Sequence, residues 1–108
     1  MLNTSIETRG DIQIFRLEGR VDSVTAKGLE EAFLQNIQGG HKYFVADLAE
    51  VKYVSSAGLR VFLVVAKRLK TVGGNLRLAA LNQTIREVFE ISGFLKLFEI
   101  LDSADNIG

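Results

Sequence analysis

The run YFVADL, residues 43 to 48, is almost unbroken in apolar character and too short for a helix. A strand reads this way when both of its faces are covered, as in the interior of a sheet with parallel neighbours. This segment is therefore expected to be the central strand, and the flanking chain has to supply its cover. Downstream, residues 57 to about 72 carry Leu59, Phe62, Leu63, Ala66 and Leu69 on one helical stripe, with Lys67, Arg68 and Lys70 loading the C-terminal end favourably for the dipole. Gly73 and Gly74 stop that helix.

The remaining elements fall into the same rhythm. DIQIFRLEGRVD, residues 11 to 22, alternates in part, with Ile12, Ile14 and Arg16 on one side and Gln13, Phe15 and Leu17 on the other, as a strand entering a turn at Gly19 would. In TAKGLEEAFLQNIQGG, residues 25 to 40, Ala26, Leu29, Phe33 and Ile37 recur at helical spacing, Thr25 is placed to cap, and Gly39 and Gly40 end the run. NLRLAAL predicts another strand, and Asn82 caps a helix through TIREVFEIS with Ile85, Val88 and Phe89 inward and Gly93 after it. FLKLFEIL predicts a short last strand, or a turn and strand, before a polar tail from about residue 103. Strands and helices alternating over short links predict an α/β fold, a mixed and partly parallel sheet of four to five strands with helices packed on it. With 108 residues and 47% hydrophobic content, residues 1–108 are expected to form one domain around one core.

Charge and composition narrow the chemistry. Thirteen basic side chains offset thirteen acidic ones, so no global field draws in nucleic acid or an anionic membrane surface. The absence of cysteine and the single His41 argue against disulfides, thiolate nucleophiles and metal sites. No apolar run reaches the roughly 18 residues a membrane span needs, and MLNTSIETRGD has no leader-like apolar core, so a soluble cytoplasmic protein is expected. A serine hydrolase would need a glycine two residues before its nucleophile; Tyr53 and Val54 hold those positions ahead of Ser55 and Ser56. Asp22, Asp47, Glu50 and Asp102 do not single out an acid–base pair, and the glycine pairs follow helices where a phosphate cradle would open one. The expectation is a chain with no catalytic residues, cofactor or metal.

Ser56 stands apart. At the start of the second helix its hydroxyl is expected to accept an amide hydrogen as N-cap, worth on the order of 1 kcal/mol. The same helix end offers unpaired amides and a positive dipole terminus, which suit a phosphate monoester.

VADLAEVKYVSSAGLRVFL, residues 45 to 63, resembles the signature of STAS domains, specifically the bacterial anti-sigma factor antagonists. There a strand ending in a hydrophobic-Asp-Leu step leads through a short loop to an Asp-Ser-(Ser/Ala)-Gly-Leu helix start. LEGRVDSVTA resembles a second block of that family and VGGNLRLAALNQTIREVFEISGFLKLF its C-terminal half, so the likeness spans almost the whole chain. It implies a mixed sheet with helices on one side, and binding in place of catalysis. In the family the unphosphorylated antagonist docks on an anti-sigma factor that is often a serine protein kinase, releasing the sigma factor; the kinase phosphorylates the serine at the helix start and a serine phosphatase reverses it. By position that serine falls on Ser56 and the family's aspartate before the first helix on Asp22. The aspartate that commonly precedes the phosphorylated serine is Ser55 here, which adds a second candidate hydroxyl. The resemblance thus implies a docking surface of Asp22, Ser23, Ser55, Ser56, Ala57, Gly58 and Arg60. The alternative it leaves open is a STAS scaffold or sensor subunit of a signalling or transporter complex that is never phosphorylated.

Overall fold

Leu2–Arg9 (β1) and Ile12–Val21 (β2) form an antiparallel hairpin closed by Gly10, whose φ of 61° is one a side chain rarely adopts. The computed structural model describes residues 1–106. After β2 come Ala26–Gln38 (α1), Tyr43–Val54 (β3), Ser56–Thr71 (α2), Asn75–Ala79 (β4), Gln83–Ile91 (α3), a 3-10 turn at Leu95–Leu97, and Ile100–Leu101 (β5). The strands lie in chain order, β1-β2-β3-β4-β5, with β1 antiparallel and every other pairing parallel. The expected mixed, partly parallel α/β architecture is what forms, with five strands.

β1 is the element that the hydrophobic pattern does not announce. LNTSIETR carries two apolar residues, and most of its side chains are exposed. It is held by its ladder to β2, from Leu2 opposite Gly19 to Arg9 opposite Ile12.

β3 is also longer than the apolar run 43 to 48. Past Asp47 it has lost β4 as a neighbour and continues against β2 alone, through two irregularities in register, with Val51 and Val54 turned inward. The sequence AEVKY looks like a loop because Val51 is its only buried position and Glu50 and Lys52 flank it.

Paired residues of parallel strands share a face, so the sheet's two sides can be read from the register. Phe15, Ala46 and Leu78 line the side that carries the main core. There Phe15 stacks on Phe33 of α1 at 4.2 Å, Phe33 meets Phe62 of α2 at 6.5 Å, and Phe62 meets Phe89 of α3 at 5.9 Å. One run of edge and stacked rings thus joins the three helices to the sheet, beyond what their apolar area alone contributes. Ile37, Leu63, Ala66 and Val88, expected to face inward, are partly buried against this core; the buried positions of α2 are Gly58, Leu59, Val61, Phe62, Val65 and Leu69. Buried Gln13 is satisfied by the hydroxyl of Thr8 and by its own amide donating to Asn36 Oδ1 at 2.9 Å.

On the other side Ile14, Val45 and Ala79 form a small second cluster, covered by Ala104, which is only 2% exposed. The segment expected to be a polar tail therefore folds back across the sheet. A turn in which the Asn106 amide donates to the Ser103 carbonyl at 3.1 Å shapes it, and Asp105 reaches Arg9 at 3.5 Å. Ile107 and Gly108 lie outside the described residues. Val45 is thereby covered on the face away from the helices, which accounts for the almost unbroken apolar run of β3.

Candidate functional site

β2 and β3 run parallel and each leads into a helix, so α1 and α2 begin at the same end of the sheet. The turn into α1 is built by Asp22. Its Oδ1 accepts from the amides of Val24 at 3.0 Å and Thr25 at 3.1 Å, while the Arg20 guanidinium lies 3.4 Å from Oδ2. These bonds favour the carboxylate, the Thr25 amide most, and hold the Asp22 carboxyl below its ordinary value. Thr25, expected to cap α1, makes no side-chain capping bond; its hydroxyl accepts from the Asp22 amide at 3.0 Å and donates to the Arg20 carbonyl at 2.9 Å. The Asp22 side chain instead shapes the turn ahead of the helix, and its backbone carbonyl accepts from the Ala26 amide, the first of α1, at 2.8 Å.

The start of α2 corrects the sequence reading by one residue. Ser55, extended at φ −86° and ψ 176°, is the N-cap, and its Oγ accepts from the Gly58 amide at 3.2 Å. Ser56, expected to be the cap, is the first helical residue, exposed, and its hydroxyl makes no hydrogen bond among the described residues. Two adjacent hydroxyls thus divide the work: one closes the helix and the other is free.

The helix end is also fixed in space. The Ser55 amide donates to the Val21 carbonyl at 2.9 Å, and Gly58 passes so close to β2 that a Cβ there would lie 2.5 Å from Val21 O and 2.8 Å from Val21 Cγ1. No residue but glycine lets the helix approach this near.

Between α1 and α2 runs an open groove of about 760 Å³. Ser23 and Ser56, the residue that begins α2, line it, with Ala26, Ala57, Val61 and Val64 as its apolar part and Lys27, Glu30, Glu31 and Arg60 as its charged part. The groove gathers Ser23, Ser56, Ala57 and Arg60 of the expected surface; Ser55, Gly58 and Asp22 lie behind them as the parts that set its shape. Two exposed apolar side chains escaped sequence reasoning. Val24, 86% exposed, sits beside Ser23, and Tyr53, 42% exposed, carries the Arg20 guanidinium 4.3 Å from its ring centre. Asp47, elsewhere at the edge of the bulged part of β3, accepts from the Ala49 amide at 3.0 Å and from Arg16 at 2.8 Å, a structural role.

A family model of the STAS domain matches residues 3–107. The chain is 46% identical over 89 residues to BtrV of Bordetella bronchiseptica, covering 82% of this chain and 77% of that one. It is 30% identical over 94 residues to the anti-sigma-B factor antagonist of Bacillus subtilis, covering 87% and 84%. The chain belongs to the STAS-domain family, among its anti-sigma factor antagonists. The structure of the antagonist SpoIIAA in its unphosphorylated form superposes with a TM-score of 0.84 at 19% identity, over 95% of this STAS chain and 90% of that one. The phosphorylated form of SpoIIAA has the same fold, with a TM-score of 0.76 over 95% and 94% at 19% identity. Among the described residues no three His, Cys, Asp or Glu side chains gather as a metal site, and no helix is long and apolar enough to cross a membrane.

Proposed function

We propose that this STAS domain is a phosphorylation-switched antagonist: unmodified, it binds an anti-sigma factor that is also a serine protein kinase and releases the sigma factor, and phosphate on Ser56 ends that binding. The observation that carries the reading is the division of labour at α2. Ser56 presents an unbonded hydroxyl at an exposed helix start, while the cap that α2 needs is made by Ser55. Modification of Ser56 leaves the fold's own hydrogen bonds in place, whereas modification of Ser55 would break one. Ser55 standing where the family commonly has aspartate fits this division, since serine and aspartate are nearly equal N-caps.

In the transfer step Ser56 Oγ forms a bond to the γ-phosphorus of the kinase's nucleoside triphosphate, the bond to the departing diphosphate breaks, and the hydroxyl proton passes to a base of the kinase. The product carries about −1.5 to −2 charges and three strongly hydrated oxygens. A partner surface shaped to bury a hydroxyl then has to desolvate a dianion, a cost of several kcal/mol. A serine phosphatase restores the binding form. No cofactor is called for, and all these partners are cytoplasmic.

The test is capture of the cognate kinase from its native cell by the wild type, Ser56→Ala and Ser56→Asp, with phosphate mapping on the wild type. The reading expects capture by the first two, loss by the third, and phosphate on Ser56. Undiminished capture by Ser56→Asp would favour the unphosphorylated scaffold, and phosphate confined to Ser55 would reassign the switch.

A further inference from the structure

Resting on that reading, we propose that the Ser56 phosphate does not stand free in solvent but is held across the α1–α2 groove by Arg60 and Lys27, so that modification also withdraws two cations from the docking surface. Arg60 lies four residues after Ser56 on the same helix. Helical side chains lean toward the N-terminus, so an i+4 arginine covers the turn that Ser56 begins. Lys27 lies across the groove on α1, whose N-terminus sits at the same end of the sheet, and its stem leans the same way.

Neither cation is committed elsewhere: Lys27 and Arg60 form no ion pair among the described residues, in contrast to Arg9, Arg16, Arg20 and Arg77. The competing charges on the groove are Glu30 and Glu31, and Asp22 nearby is engaged with its own turn. A phosphate dianion outcompetes a single carboxylate for an arginine fork because it brings more charge and three acceptor oxygens. Opposite ends of the contact belong to different helices, so the pairing bridges the groove and covers the apolar strip of Ala57 and Val61 beneath it.

The experiment places phosphoserine at position 56 during translation, without the kinase, and follows its second ionisation by 31P NMR in the wild type and in Lys27→Gln/Arg60→Gln. The amides at the start of α2 act on the phosphate in both proteins, so the difference isolates the two side chains. The expected result is a second pKa roughly one unit lower in the wild type than in the double variant, shrinking in 1 M salt. Equal values in the two proteins at low salt would overturn the inference. Because the phosphate is installed directly, this outcome is independent of which serine the kinase chooses; phosphate mapped to Ser55 would defeat the functional reading and leave the titration result intact.

Discussion

Replacing each of the two serines with alanine separates their roles quantitatively. Ser55→Ala removes the acceptor of the Gly58 amide, a 3.2 Å bond at a half-buried helix start. Loss of a serine N-cap costs 0.5–2 kcal/mol, and a bond of this length and burial belongs near the middle, about 1 kcal/mol. For a domain of this size that lowers the unfolding midpoint by about 4–6 °C. Ser56→Ala removes no hydrogen bond made among the described residues and puts the best helix former at the first helical position, so the midpoint should move by less than about 1 °C, or rise slightly. Ser55→Asp should keep the wild-type midpoint, because aspartate caps as well and its charge suits the helix start. Differential scanning calorimetry of the three variants at one pH and protein concentration reads these shifts directly. A Ser56→Ala loss as large as that of Ser55→Ala would show that Ser56 caps α2, and the separation of cap from switch would fail.

Two further outcomes follow from the same end of the sheet and from its reverse face. Gly58→Ala drives a Cβ to 2.5 Å from the Val21 carbonyl, so α2 must shift, and a loss of about 2–3 kcal/mol is expected by calorimetry; an unchanged midpoint would mean the approach is looser than described. In acid, Asp22 and Glu7 both have folded carboxyls below their ordinary values of 3.8 and 4.5, Asp22 through the Thr25 amide first and Glu7 through Arg16 first. Each takes up its proton more readily unfolded than folded, so its stabilisation is complete above those values and is lost as pH falls through the lower folded ones. Asp22→Asn and Glu7→Gln should each flatten the fall of the midpoint between about pH 5 and pH 2, and an acid limb as steep as the wild type's in both variants would refute the assignment.

The parts of the fold legible in the sequence are those whose side chains bear the burial. Phe33, Phe62 and Phe89 each belong to an apolar stripe at helical spacing because each helix has one face on the core, and YFVADL is almost unbroken because Ala104 helps close its second face. β1 escaped because its backbone does the work: Asn3, Thr4 and Ser5 have no apolar face to show, although the Gly10–Asp11 pair carried a hairpin signal. At the site, the segment 54 to 60 was legible as a helix start, but the cap was assigned one residue late. Two neighbouring serines have the same propensity, and only the extended backbone at Ser55 decides which of them precedes the first turn. Val24 and Tyr53 were invisible for a different reason, since an apolar residue beside a turn looks the same in sequence whether it points into the core or out of it.

The close seat of Gly58 on the Val21 carbonyl bears on how quickly such a domain can signal. With the Ser55 amide tied to the same carbonyl, the first turn of α2 has no room to move closer to the sheet. A group added at Ser56 therefore has no hinge to push and no alternative packing to select. Information written there would travel as charge and through the side chains that answer it, without a backbone rearrangement between the chemical event and its effect, so the response time would be set by the modifying enzymes and by diffusion.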